Sequence, residues 1–281
     1  MVALLGLANA GKSTLLNRWL GEKLAIVTAK PQTTRGRLLG ILSRPGAQLL
    51  LLDTPGLVPG RRGALDQSMG AAVREAAADC DVALLLVELG RGWQPAHEAL
   101  LALAAGRPVL LVGTKADLRP GAPWPPPEAG DRPSFRVSAA TGEGCPALLE
   151  AVVARLPEGP ALYPEDELTD RPLRFLAAEL VREAAFEALA EEVPYGVAVE
   201  VESFDESRPD LVRIAANLLV ERESHKRIAV GAGGAKVREI GTRARRELER
   251  LVDRHVHLAL RVVVEPDWAR RPKRLKSLGY F

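Results

Sequence analysis

Eight residues near the start of the chain, Gly6-Leu7-Ala8-Asn9-Ala10-Gly11-Lys12-Ser13, restrict its fold more than any other segment. They satisfy the pattern G-x-x-x-x-G-K-[ST]. They stand between an apolar run, Val2–Leu5, and a stretch with helical spacing, Lys12–Leu20. A strand–loop–helix unit of this kind turns backbone N–H groups inward around phosphate oxygens. Glycines without a Cβ and the positive end of the helix dipole both assist. Lys12 is placed to reach the β- and γ-phosphates and the Ser13 hydroxyl to bind Mg²⁺. Asn9, Ala10, Gly11 and Thr14 complete the cradle. The motif alone does not choose between ATP and GTP.

The pattern around it is that of a doubly wound α/β domain. Val2–Leu5, Leu49–Leu52, Val82–Leu89 and Val109–Val112 are nearly unbroken Leu, Val and Ala, as in parallel strands buried on both faces. Helices are expected at Lys12–Leu20, Gln67–Ala78, Gln94–Ala105 and Ala147–Leu156, and a loop over Arg119–Pro133. Three polar segments follow strands at their carboxyl ends, where such sheets place ligands. Asp53-Thr54-Pro55-Gly56 offers an acid for Mg²⁺ and, at Gly56, an N–H for a γ-phosphate. Thr114-Lys115-Ala116-Asp117 offers a carboxylate that can accept hydrogen bonds from both the ring N–H and the amino group of guanine. Adenine lacks that pair of donors, so Asp117 tips the nucleotide to GTP. Ser138-Ala139-Ala140 follows the short run Phe135–Val137 as a second base-reading loop.

Pro157–Pro172, with four prolines and several acids, marks a domain boundary. We expect an α/β P-loop NTPase domain over 1–160, a linker over 161–172 and a smaller α+β domain over 173–281. The second domain reads helix (Leu173–Glu192), strand (Val197–Phe204), strand (Leu211–Val220), helix (Arg222–Ala229), helix (Ala235–Arg254) and strand (Val256–Val264). Between its last two helices, Gly231-Ala232-Gly233-Gly234 lets the backbone approach a nucleic acid, as Gly-x-x-Gly loops of KH domains do. Lys226, Arg227, Lys236 and Arg238 flank it and can meet phosphates.

Charge supports this division. The 281 residues carry a net +2, which excludes coating of nucleic acid by bulk charge. Residues 221–281 nevertheless hold 16 basic and 8 acidic residues, so an anionic partner belongs there. The tail Arg270–Lys276, five basic residues and no acid, is a further candidate contact for RNA or an anionic membrane surface. Two cysteines, Cys80 and Cys145, form no zinc pattern or disulfide framework and fit a reducing cytosol. No apolar run is long enough to span a bilayer, and the start lacks the charged residues of a signal peptide.

In this order, the motifs resemble those of translation-factor-type GTPases, and more closely the Era family, over nearly the whole chain. The likeness rests on Gly-x-x-Asn-x-Gly-Lys-Ser-Thr-Leu-Leu-Asn at 6–17, Pro-Gln-Thr-Thr-Arg at 31–35, Asp-Thr-Pro-Gly at 53–56, Lys-x-Asp at 115–117 and Ser-Ala at 138–139. In the second domain it rests on Val-Glu-Arg-Glu-Ser-His-Lys at 220–226, the glycine loop at 231–234 and Ser-Leu-Gly-Tyr at 277–280. The resemblance implies an N-terminal GTPase domain and a C-terminal type II KH domain. GTP or GDP and Mg²⁺ are its cofactors, Thr34 joins Ser13 and Asp53 at the metal, and a K⁺ ion sits by Asn9. It also implies binding to the 3′ end of 16S ribosomal RNA, a role in assembling the small (30S) subunit, and a monomer in the cytoplasm with peripheral association at the inner face of the cell membrane. Leu57 stands where some GTPases carry a water-orienting glutamine, so slow intrinsic turnover is expected. A nucleotide-gated assembly factor with negligible hydrolysis is the alternative.

Three departures accompany the likeness. Thr114 replaces an asparagine that braces the site, so weaker guanine binding is expected. The segment between Lys-x-Asp and Ser-Ala is short and Pro-rich. Ala232 replaces a lysine of the KH loop and removes one phosphate contact.

Overall fold

A computed structural model, which describes residues 1–57 and 63–280, places the apolar runs of the first half in one six-stranded sheet. Its strands are β1 (Val2–Gly6), β2 (Leu38–Arg44), β3 (Ala47–Asp53), β4 (Val82–Glu88), β5 (Val109–Thr114) and β6 (Ser134–Arg136), in the order β2-β3-β1-β4-β5-β6. All pairs are parallel except β2 with β3. Strand β2 is not expected from the sequence. It folds back on β3 through a turn at Gly46, whose φ of 77° suits a residue without a side chain.

Helices α1 (Lys12–Leu20), α2 (Ala64–Asp79), α3 (Pro95–Leu103) and α4 (Cys145–Val153) alternate with the strands. On one face of the sheet, Leu5, Leu52, Leu85 and Leu111 pack with Val73 and Ala76 of α2 and Leu100 of α3. The alternate residues Leu4, Leu51, Leu84 and Leu110 are equally buried, so both faces are covered. Each such leucine contributes about 1.5–3 kcal/mol by leaving water. This is the arrangement that near-continuous apolar runs imply, and it sets the polar loops at the carboxyl edge.

The chain divides into two compact units, one built mainly from residues 1–62 and 66–170 and the other from residues 63–65 and 171–280. Part of the expected linker lies along the first unit's β2–β3 ribbon. Gln48 accepts the N–H groups of Leu162 and Tyr163 at 2.8 and 3.0 Å, and Ile41 N–H donates to Leu168 O at 2.8 Å.

The second unit has the expected element order. Its strands β7 (Val197–Asp205), β8 (Leu211–Val220) and β9 (His255–Val264) form a sheet β7-β8-β9, antiparallel then parallel. Its helices are α5 (Leu173–Ala188), α6 (Glu223–Val230), α7 (Ala235–Val252) and α8 (Pro272–Ser277). Helix α5 stops four residues before the expected Glu192, because Leu189 turns to extended backbone and buries its side chain. The tail carries a further helix, α8, that the sequence reading did not place. Leu275, Leu278, Trp268 and Tyr280 pack on Ala198 and Leu219. The tail's arginines are ion-paired inside the unit: Arg274 with Glu200 and Glu265, Arg271 with Glu265, Arg270 with Asp267.

Candidate nucleotide site and RNA-facing loop

The loop after β1 forms a cleft of about 380 Å³, lined by residues 8–14, 26–29, 32–34, Gly56, Arg91 and Lys115. Asn9 and Gly11 take the left-handed conformation, with φ of 63° and 89°, which bends the backbone around the space a phosphate would fill. Lys12 is buried, its ammonium donating to Gly6 O at 3.2 Å and Leu7 O at 3.0 Å. Burial lowers its pKa from 10.5 to about 8, and the nearby Asp53 charge offsets part of that loss. Asn9 donates its amide to Ala29 O at 2.7 Å, at the wall of the cleft.

Three hydroxyl and carboxylate side chains from separate elements converge beside Lys12. Ser13 Oγ donates to Asp53 Oδ2 at 2.6 Å and lies 3.0 Å from Thr34 Oγ1, which is itself 3.5 Å from Asp53 Oδ2. Asp53 is fully buried, and its Oδ1 has no hydrogen-bond partner among the described residues. Burial raises its pKa to about 6, against the lowering effects of Ser13, Lys12 and Thr34. A buried carboxylate with a spare oxygen, flanked by two hydroxyls, is a hard-oxygen donor set that fits Mg²⁺. Thr54 Oγ1 donates to Leu4 O at 2.6 Å and fixes the loop that carries Gly56. A Cβ on Gly56 would lie 2.4 Å from Ala8 Cα, so only glycine can bring this backbone against the phosphate loop.

The base-reading segments lie at the ends of β5 and β6. Lys115 is left-handed with φ of 57°, and its ammonium is 3.2 Å from Glu88 at the end of β4. Glu88 also meets Arg91 at 3.3 Å. Asp117 is exposed in a single 3₁₀ turn over Ala116–Leu118. Ala116 N–H donates to Val137 O at 3.1 Å, which joins this turn to the Ser138-Ala139 loop. Asp117, Ser138 and Ala139 stand outside the cleft wall, unlike Lys115. Thr114 ties its strand to the phosphate loop. Its hydroxyl donates to Ala10 O at 2.8 Å, which links the end of β5 to the phosphate loop.

In the second unit, Gly231, Gly233 and Gly234 have φ of 71°, 56° and 78°. They make a tight connection between α6 and α7. A Cβ on Gly231 would meet Lys236 backbone nitrogen at 2.9 Å, whereas nothing stands within 4 Å of one on Gly233. Of the flanking cations, Lys236 pairs with Glu239 and Arg238 caps the loop carbonyls of Gly233 and Gly234. Lys226 and Arg227 have no ion-pair partner among the described residues, and Ile228 beside them is half exposed.

Residues 1–115 match the family model described as a 50S ribosome-binding GTPase, and residues 192–269 match a KH domain. The GTPase Era of Geobacter metallireducens is 44% identical over 288 residues, covering 99% of this chain and 96% of its own length. This chain belongs to the GTPase Era family. A Bordetella pertussis Era is 40% identical over 99% of the chain and 96% of its own length. Among solved structures, an Aquifex aeolicus Era variant bound to GDP·AlF₄⁻ superposes with a TM-score of 0.93 at 36% identity, over 99% of this chain and 98% of that one. An Era in complex with MgGDPNP and nucleotides 1506–1542 of 16S ribosomal RNA gives 0.91 at 37% identity, over 99% and 97%. The fold of this Era-family chain is therefore a GTPase domain with a mostly parallel sheet followed by a KH domain, and its activity is GTP hydrolysis with GTP or GDP and Mg²⁺ as cofactors.

Two side chains at the Era site escape sequence reasoning. Glu88 reads as the polar end of a strand, yet it holds Lys115. Arg18 reads as an exposed helix residue, yet it donates to the Ala139 and Ala140 carbonyls. No local pattern marks either, because their partners are distant in the chain.

Proposed function

We propose that this chain is a guanine-nucleotide switch that binds the 3′ end of 16S ribosomal RNA through its KH loop and assists assembly of the small subunit in the cytoplasm. The observation that carries the nucleotide half is the convergence of buried Lys12, Ser13, Thr34 and buried Asp53 at the phosphate loop. Lys12 is pulled down in pKa and Asp53 pushed up by the same burial, so each charge carries a desolvation cost. A magnesium–nucleotide supplies a phosphate to one and a cation to the other, and binding relieves both penalties.

Ser13, Thr34 and Asp53 would hold Mg²⁺, which on binding supplies charge neutralisation at the phosphates. Backbone N–H groups of residues 9–14 and the Lys12 ammonium bind the phosphate oxygens. Gly56 N–H is the donor for the terminal phosphate and senses its loss. Leu57 cannot hydrogen-bond a water, so its placement for attack falls to the backbone around Thr34 and Gly56, which keeps the intrinsic rate slow. Asp117 reads the guanine donors and the Ser138-Ala139 backbone reads its acceptor. A K⁺ ion has a place beside Asn9 if the amide oxygen turns toward it; equal single-turnover rates in potassium and sodium would dismiss that ion.

Protonation of Asp53 competes with the metal. Its carboxyl is ionised above about 6 and neutral below, so Mg²⁺-dependent GDP affinity is expected to hold from pH 8 to pH 7 and to fall up to tenfold per unit below about 6. A titration series across pH checks this, and a flat profile down to pH 5 would contradict it.

For the RNA half, the support is the open glycine connection beside Lys226 and Arg227, which form no ion pair among the described residues. Gly233→Asp places a carboxylate at a left-handed position facing open space, and we expect affinity for a 16S 3′-end oligonucleotide to fall at least tenfold. Unchanged binding at physiological salt would remove the loop from the interface. Contact with a membrane surface has weaker support. Three of the five tail cations are ion-paired, and the remaining two lysines contribute about 1 kcal/mol each at an anionic surface. No helix among the described residues is long and apolar enough to cross a membrane.

A further inference from the structure

Arg18 lies on α1, six residues after Lys12, and reaches across to the second base-reading loop. Its Nε donates to Ala139 O at 2.6 Å and a terminal nitrogen donates to Ala140 O. The loop's own hydrogen bonds close only its neck. Ser138 N–H donates to Glu143 O at 2.9 Å, Gly142 N–H to Ser138 O at 2.8 Å and Thr141 N–H to Ser138 Oγ at 3.1 Å. The tip carbonyls of Ala139 and Ala140 are left to Arg18. The N–H groups of Ala139 and Ala140 have no partner among the described residues.

In a trans peptide the C=O and N–H point opposite ways. Fixing Ser138 O through Gly142 therefore aims the N–H of Ala139, and fixing Ala139 O through Arg18 aims the N–H of Ala140. These are the loop's unspent donors. With Asp117 taking the ring N–H and amino group of guanine, the remaining group to satisfy on that edge is the acceptor O6. Thr114 cannot do the work of Arg18, because its hydroxyl partners are Ala10 O and Val87 O.

We propose that Arg18 is a positioning residue for guanine selection: its planar fork fixes the Ala139 carbonyl so that the Ala140 N–H stays presented to O6 beside that of Ala139, and locks that loop to the helix carrying Lys12 and Ser13. The proposal rests on the reading of Ser138-Ala139 as a base loop. It also sets a cost on replacement by lysine, whose single ammonium cannot reproduce two forked donors.

The test compares GDP with 6-thio-GDP, in which the O6 acceptor is a weaker sulfur, by titrating the full chain in Mg²⁺. Arg18 is exposed, so Arg18→Met and Arg18→Lys are expected to keep the wild-type thermal midpoint. We expect the wild type to prefer GDP. Arg18→Met is expected to weaken GDP about fivefold and 6-thio-GDP less than twofold, with Arg18→Lys between wild type and Met. Equal losses for both nucleotides would show a merely structural role and overturn the proposal, as would no loss at all. A wild type that binds both nucleotides alike would overturn the base-loop reading itself, and the proposal with it.

Discussion

Replacing Lys12 by alanine is expected to lower guanine-nucleotide affinity by about two to three orders of magnitude and to remove measurable hydrolysis. The size follows from where the charge sits. The Lys12 ammonium is buried, held by two backbone carbonyls, and faces a cleft with no other buried cation among the described residues. Its charge acts on phosphate oxygens with little water between, where a point charge is worth far more than at a surface. The same burial distinguishes lost binding from lost folding. The folded pKa is about 8 against 10.5 for the free side chain, so the unfolded chain holds this proton more tightly. Charged Lys12 therefore withholds stability at neutral pH, and stability returns as pH rises from about 8 to about 10.5. Lys12→Ala should accordingly keep a ligand-free thermal midpoint near that of the wild type while its nucleotide titration goes flat. A variant that melts far lower, or that still binds GDP tightly, would contradict the assignment.

Asp117→Asn is the second large effect. The carboxylate offers two acceptor oxygens to the two donors of guanine. An amide offers one oxygen and one N–H₂, so one hydrogen bond is lost and a donor is set against a donor. Affinity for GTP is expected to fall about a hundredfold. Xanthosine triphosphate carries a carbonyl where guanine has its amino group, and its affinity should rise by a similar factor. Competition titrations with both nucleotides check the exchange. Loss of both affinities together would mean that Asp117 supports the loop rather than reads the base.

The phosphate cradle was legible because its chemistry is local: eight consecutive residues, a strand before them and a helix after. The strands β1, β3, β4 and β5 were legible because burial on both faces leaves runs of Leu and Val. Strand β2 was not, since Leu38–Arg44 contains Gly40 and earns its place only by pairing with β3 and lying under α1, where a Cβ on Gly40 would meet Leu16 at 2.7 Å. The ion pairs of the tail were hidden for a related reason. A run of five cations looks like a surface for anions until Glu200 and Glu265, far away in sequence, are seen to face Arg274. Thr114 is a similar case. Its type departs from the family pattern, and only the fold shows that its hydroxyl reaches Ala10 O and ties β5 to the phosphate loop. Arg18 and Glu88 could not be found from spacing, because what they hold is set by the tertiary fold alone.

These local and long-range contacts converge on a site that admits one nucleotide class, and phosphate release measured side by side from GTP and from ATP tests that claim most directly. With equal concentrations and Mg²⁺, the expected result is release from GTP alone, absent in Lys12→Ala; equal release from ATP would contradict the reading of Asp117 and of the site built around it.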